Sequence, residues 1–419
     1  DSCRLLAMNL FSYVKEPFTS NSSFDFKLFK EHAQISQRLM DNIIDLEIEK
    51  IDTQLAKIKN DPENADLKRV EKNLWEKIKH TALQGRRTGL GITAEGDMLA
   101  ALGYRYGSKD SIKFATEVHR VLAVSSYESS IIMAKERGAF EIFDNEKEKD
   151  NNFVNRIKGE LSPEYLTMWG KYGRRNIANL TIAPTGTVSL MAQTTSGIEP
   201  LFQPYYRRRT KVNEGEQYTF MDEVGDGWVE YFVFHPKFID WFKSKYWSST
   251  ESKATHDNPK DYLKECSEET LEGYFQKSPW FGSTSNDIDW ADSVDLQGSI
   301  QTWIDHSISK TVNIPESVTP EEVNEIYLRA HEAGCKGCTI YRDGSRSGVL
   351  ISAKENKPSE EFKYSNSYQR PEVTECDIYH KTALKKDWTV LVGKVNDNPY
   401  EIFVIKKIDN NVFPNKISK

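Results

Sequence analysis

Between residues 26 and 60 apolar side chains return every three or four positions, at Phe29, Ile35, Leu39, Ile43, Leu46 and Ile51. That repeat marks one face of an α-helix. The polar run NDPENADLKRV ends it. A second stretch, Ser111 to Arg137, repeats the pattern through Phe114, Val118, Val121, Tyr127, Ile131 and Ile132 and predicts another long helix. Between the two, RRTGLGITAEGDMLAALGYRYGS places glycines at 89, 91, 96, 103 and 107, which suit turns around a short helix.

From Ile177 the pattern shortens. IANLTIA reads as a strand, PTG as a turn and TVSLMAQ as a helix, and KTVNIP, EEVNEIYLRAHEAG and CTIYRD repeat the order strand, helix, strand. Such alternation predicts an α/β architecture with parallel strands. Residues 244–290, which include SKYWSSTESKATHDNPKDYLKECSEE, read as a polar insertion. Beyond Ser352 the composition turns polar, and WTVLVGKVNDNPYEIFVIKK then predicts a hairpin about NDNP. The expected organisation is a main domain over 1–350, a linker over 351–366 and a small β-rich module over 367–419. No internal repeat is present.

Composition narrows the class. In 419 residues, 38% hydrophobic and 11% aromatic side chains are enough for a sizeable core, which excludes a disordered chain. A net charge of −7 disfavours a nucleic-acid surface, which calls for a basic patch. No apolar run reaches the roughly 20 residues that span a bilayer. Five scattered cysteines and no secretory leader point to a reducing, cytoplasmic setting. The chain opens DSCRLLAMNL without an initiator Met, and we read it as a piece of a longer polypeptide.

The turn at Pro184, Thr185, Gly186 and Thr187 carries the main chemical candidate. A strand that ends in a glycine-containing turn at a helix start aims unpaired N–H groups at one point, where the helix dipole also favours an anion. The Thr185 and Thr187 hydroxyls could donate as well. The plainer reading is a strand-to-helix turn with Thr187 as N-cap. No Gly-Lys-Ser/Thr follows, so it is not a Walker loop. GLGITA at 89–94 matches a dinucleotide fingerprint in letters, but a helix-like NLWEKIKHTALQGRR precedes it where a strand is required, so those glycines read as packing and turn positions.

Cys335 and Cys338 (CKGC) with Cys376 and His380 could imitate a zinc site. The polar linker separates the two halves, and we expect no metal. HEAG at 331–334 fails as a corrinoid signature because Arg329 stands where that motif needs Asp. Glu199 in SGIEP reads either as catalytic or as a carboxylate in a structural hydrogen bond.

Five segments in order carry a resemblance: DSCRLLAMNLFSYV, TGLGITAEGDMLAALGYRYGS, RRNIANLTIAPTGTVSLMAQTTSGIEPLFQPYYRR, HSISKTVNIP and KGCTIYRDGSR. Together they resemble the catalytic subunit of adenosylcobalamin-dependent (class II) ribonucleotide reductase. RPEV, WTVLVG and NPYEIF near the end resemble a small domain that closes many such enzymes. The resemblance implies part of a ten-stranded α/β barrel and the reduction of ribonucleotides to 2′-deoxyribonucleotides by thiyl-radical chemistry.

On that resemblance, Pro184, Thr185, Gly186, Thr187 and the N–H of Val188 would hold the substrate's phosphates. Cys3 would be one of two cysteines that pass electrons to the ribose and end as a disulfide. The cofactor would be adenosylcobalamin, and the partners a ribonucleotide substrate and a thioredoxin-like or other dithiol reductant, with a homodimer possible. The segment with the thiyl cysteine and its carboxylate would precede Asp1, so activity would need that N-terminal portion in cis or as a separate chain. Two alternatives stand beside this: a class I large subunit with a diiron partner, and a non-catalytic nucleotide-binding module.

Overall fold

The computed structural model describes residues 4–212, 218–221, 227–247, 256–343, 345, 375–383, 386–395 and 398–406. Two units divide the chain, Asp1–Ala353 and Lys354–Lys419.

In the first unit the two expected long helices form, and a third that the pattern did not mark takes up the second half of the polar run NDPENADLKRV, because Asn64 caps a helix there. Helix α1 (Phe26–Asn60) starts where the Asp25 carboxylate accepts the Leu28 N–H at 3.1 Å. Helix α2 (Ala65–Gly85) starts at Asn64 and stops at Arg86, whose φ of +47° turns the chain out of the helix. Of the apolar stripe read from the sequence, Phe29 and Ile51 at its ends are buried, but its middle is not the inward face of α1. Ile35, Leu39, Ile43 and Leu46 are 56, 49, 39 and 62% exposed, while Ala33, Gln37, Met40, Asp41 and Ile44 are buried. Polar pairing draws that other face inward. Asp41 Oδ1 accepts from Arg86 Nε at 2.8 Å and Asn176 Nδ2 at 2.9 Å, and Gln37 Nε2 donates to Thr88 Oγ1 at 3.0 Å. Buried charges and amides are tolerated only with such partners.

The strand Thr88–Thr93, buried at every position, lies parallel to Arg4–Asn9, with Arg4 opposite Thr88 and Asn9 opposite Thr93. On its other side the extended residues 178–182 run parallel, with Leu90 N–H donating to Asn179 O at 2.8 Å and Thr181 N–H to Leu90 O at 3.0 Å. Ile182 and Ile308 bridge next in the same sense. Four extended segments thus stand side by side, and burial on both faces is what parallel pairing demands. The glycines of GLGITA have their explanation here. A Cβ on Gly91 would lie 2.1 Å from Thr181 O, so Gly89 and Gly91 are strand positions of close approach, not turns. Gly103 and Gly107, with φ of +81° and +82°, are the turn glycines.

Helix α3 (Glu95–Ala101) follows that strand directly, and helix α4 (Lys109–Arg137) packs on α1. Later in the unit Thr311–Ile314 and Thr339–Arg342 pair in parallel, with the helix Pro320–Glu332 between them, the strand, helix, strand order read from the sequence. Thr319 and Glu322 close a capping box at that helix's start.

Residues 244–290 are more than a polar insertion. Its helices Pro259–Glu265 and Glu268–Phe275 bury Leu263, Leu271 and Phe275, and with Trp280 from the turn that follows they join Phe238, Trp241 and Phe242 of the preceding helix Pro236–Phe242 in one cluster. The reason they escape a pattern reading is spacing: each helix of seven or eight residues supplies only a few anchors among many polar positions.

The second unit is an antiparallel sheet of Glu375–Ala383, Lys386–Val395 and Asn398–Lys406. The predicted hairpin is its second and third strands; ECDIYHKTA, unmarked in the sequence reading, is its first. Residues 351–366, expected as linker, lie outside the described residues. Among the described residues no helix is long and apolar enough to cross a membrane.

Candidate functional site

At the end of the extended segment 178–182 the chain turns sharply. Thr185 adopts φ +52°, a left-handed conformation that a β-branched residue enters only under constraint, and the helix Gly186–Ala192 begins immediately after it. Ser189 N–H closes the first helical bond on Thr185 O at 2.7 Å. Thr185, not Thr187, therefore occupies the cap position, and its side chain makes no capping bond. The left-handed turn, which no local pattern marks, moves the cap two residues earlier than the expected Thr187.

The constraint on Thr185 comes from behind. Its Oγ1 accepts the Gly197 N–H at 2.8 Å and lies 3.1 Å from Thr93 Oγ1. Thr93 spends its own hydroxyl proton on Thr195 O at 3.0 Å, so the Thr185 O–H must be the donor of their mutual bond. The Thr185 hydroxyl is thereby committed inside the chain, and what this residue brings to the turn is shape. Gly186, Thr187 and Val188 are exposed in front of it. Their amides, the first of the helix, have no acceptor within it by helix geometry. A Cβ on Gly186 would meet nothing within 4 Å, so the space before these amides is open.

The loop 194–199 that backs the turn is itself held on two sides. Thr195 N–H donates to Asp97 Oδ2 at 2.8 Å, and Asp97 N–H donates to Thr195 Oγ1 at 3.2 Å. Asp97, fully buried at the start of α3, also pairs through Oδ1 with His235 Nε2 at 2.8 Å. Glu95 N–H reaches Gly197 O at 3.2 Å, and Ala94 N–H reaches Thr195 O at 3.0 Å. Thr93, Asp97, Thr195 and His235 were invisible as a group in the sequence, since 142 positions separate the first from the last. The one local signal was the charged pair in TAEGD directly after an apolar strand.

Other candidates resolve structurally. Glu199 accepts from Lys310 Nζ at 3.0 Å and from the Thr311 N–H at 2.7 Å, the structural hydrogen bonding that was one of its two readings. Cys335 and Cys338 are free and half-buried, and burial raises both thiols, Cys335 to about 11, which keeps them protonated. Among the described residues no group of three or more His, Cys, Asp or Glu side chains could hold a metal ion. His331 of HEAG sits on the exposed side of its helix, and Arg329 is paired with Asp295 at 2.6 Å. Cys3 lies outside the described residues.

Residues 1–341 match the family described as ribonucleotide reductase, barrel domain, and residues 374–419 match that described as NrdJ homologue C-terminal domain. A vitamin B12-dependent ribonucleoside-diphosphate reductase of Mycobacterium tuberculosis (strain CDC 1551 / Oshkosh) is 27% identical over 361 residues, covering 85% of this chain and 42% of the relative. The protein of the same description from Thermoplasma acidophilum is 25% identical over 365 residues, covering 86% and 38%. The chain thus spans about two fifths of the length of these relatives. Among solved structures, an Actinobacillus ureae class Id ribonucleotide reductase alpha subunit aligns with a TM-score of 0.48 and 18% identity, over 82% of this chain and 50% of that one.

Proposed function

The chain belongs to the ribonucleotide reductase barrel family, and on that premise we propose that it is the substrate-holding part of an enzyme that makes 2′-deoxyribonucleotides for DNA synthesis. The family match over residues 1–341 carries this reading. The vitamin B12-dependent description of the relatives favours the adenosylcobalamin-dependent class over a diiron-partnered one. The finer architecture we propose is part of a ten-stranded α/β barrel, to which the four parallel segments would contribute.

In this reading the turn after Pro184 holds the nucleotide's phosphates. The amides of Gly186, Thr187 and Val188 supply the donors, Gly186 leaves room for close approach, and Pro184 and Thr185 set the turn. Anchoring the charged end of the substrate fixes where its ribose sits, which converts binding into orientation. Cys3 is one of two thiols that become a disulfide as the 2′-hydroxyl leaves as water and hydrogen takes its place. That step consumes two electrons and two protons, and a thioredoxin-like or other dithiol restores the thiols. When bound, adenosylcobalamin would supply the initiating radical. We assign it no ligand on this chain, because His331 stands on an exposed helix surface.

Gly186→Val tests the reading. A side chain at 186 meets nothing inside the chain, so the fold should be preserved while the space before the amides is filled. Nucleotide affinity of the full-length enzyme, measured by calorimetry, should fall at least tenfold with the melting temperature unchanged. Unchanged affinity would remove the turn from the site.

A further inference from the structure

One buried pair has no role in the reading above. Glu95 opens helix α3, and His119 lies on the facing side of α4; both are fully buried. Both Glu95 carboxyl oxygens and His119 Nε2 lack a hydrogen-bond partner, with Oε2 and Nε2 3.9 Å apart. His119 Nδ1 sits 2.9 Å from Ala115 O, and a carbonyl only accepts, so Nδ1 carries the imidazole proton and Nε2 presents a lone pair. A buried acceptor opposite a buried carboxyl is satisfied if the carboxyl keeps its proton.

Among the described residues no cation compensates Glu95. Of the groups around it, Tyr106 donates its hydroxyl to Ile198 O, and Glu199 is taken by Lys310. Asp97 is taken by Thr195 and His235, and Tyr13, on the turn packed against α3, is bonded to His32. Burial alone raises the Glu95 carboxyl to about 8, and burial lowers His119 to about 4. At neutral pH the carboxyl is mostly protonated and the imidazole neutral.

We propose that Glu95 and His119 hold a single proton as a buried acid–imidazole pair, the carboxylic acid donating to Nε2, and that losing this proton in alkaline solution unlatches the loop 194–199 from the start of α3. A shift of the carboxyl by about 1 Å brings the two within hydrogen-bond reach. The link to the loop is the Glu95 N–H on Gly197 O, and Gly197 in turn holds Thr185. An ionised carboxylate here has no partner among the described residues, so ionisation favours opening at the start of α3, which the loop clasps through the Glu95 N–H. The inference stands whether or not the turn binds phosphate.

The sign follows from proton counting. Glu95 is raised in the folded chain, so its contribution is complete below its unfolded value of 4.5 and is lost as pH rises through 8. His119 is lowered, so its contribution grows from pH 4 to 6.5. The two offset each other between 4.5 and 6.5. From 6.5 to 8 only Glu95 differs between the states, and the folding constant falls tenfold per pH unit, about 30-fold over the window.

Hydrogen exchange of peptides spanning 193–201, read by mass spectrometry on the full chain from pH 6 to 9.5, tests this. Once the intrinsic rate is divided out, protection in the wild type should fall from pH 6.5 to 8 and level off above it. It should stay flat in Glu95→Gln, whose amide donates to Nε2 but never ionises. Protection independent of pH in the wild type, or the same drop in E95Q, overturns the proposal. If E95Q does not fold, carbon-13 carboxyl shifts of the wild type decide the matter. A glutamate titrating near pH 8 supports the pair, and none above pH 6 refutes it.

Discussion

Gly91→Ala puts the parallel layer to a quantitative test. The added Cβ would lie 2.1 Å from the Thr181 carbonyl oxygen. An ordinary carbon–oxygen contact is roughly 3.3 Å, so the strand Thr88–Thr93 and the segment 178–182 must separate by about 1.2 Å. That separation stretches the bonds from Leu90 N–H to Asn179 O, now 2.8 Å, and from Thr181 N–H to Leu90 O, now 3.0 Å. Each contributes about 1 kcal/mol net. Forcing backbone apart between Leu90, Ile92, Leu180 and Ile182, all essentially inaccessible, adds about 1–3 kcal/mol of overpacking cost. The expected loss is about 3–5 kcal/mol, a large part of a typical domain's stability. Gly159→Ala is the control. It sits in the helix Asn152–Glu160 with nothing within 4 Å of the new atom, and should stabilise by about 0.5–1 kcal/mol. Urea unfolding followed by tryptophan fluorescence measures both. A G91A midpoint within about 0.5 kcal/mol of wild type, at unchanged denaturant slope, would refute the close pairing of these two segments.

Two further outcomes probe the polar interior. Asp41→Ala removes the carboxylate that pairs with both the buried Arg86 and the partly buried Arg175, while Arg86 keeps Asp45 at 2.8 Å, so the expected cost is about 3 kcal/mol by the same urea assay; a loss under 1 kcal/mol would show that Asp45 alone satisfies Arg86. Lys310→Met strips the buried ammonium from Glu199, which is partly exposed and keeps the Thr311 N–H, so the expected loss is about 1–2 kcal/mol. Adding Glu199→Gln should recover most of that loss, and a double variant as unstable as the sum of the two singles would deny that the pair is coupled.

How much was legible beforehand differs by element. Helices α1 and α4 announced themselves because tens of residues repeat one period, and a long repeat outweighs local exceptions. Which side of α1 is inside did not follow, since Gln37 and Asp41 are drawn in by partners from positions 86, 88, 175 and 176. The aromatic cluster around Trp280 was missed for the same reason in reverse, its anchors being spread over several short helices.

The phosphate-turn candidate shows the same division at finer scale. A glycine-containing turn between an apolar extended run and a helix is a property of contiguous residues and was legible without any coordinates, as were the family likeness, the two long helices and the strand, helix, strand order near residues 311–342. That Thr185 stands left-handed with its hydroxyl turned inward, that Asp97 and Thr195 brace it, and that Glu95 faces His119 where both are fully buried came only with the packed fold. Local order follows from spacing along the chain. Hydrogen-bond direction, burial and protonation follow from which distant residues share a volume without water, and that is set by the packing of the whole unit.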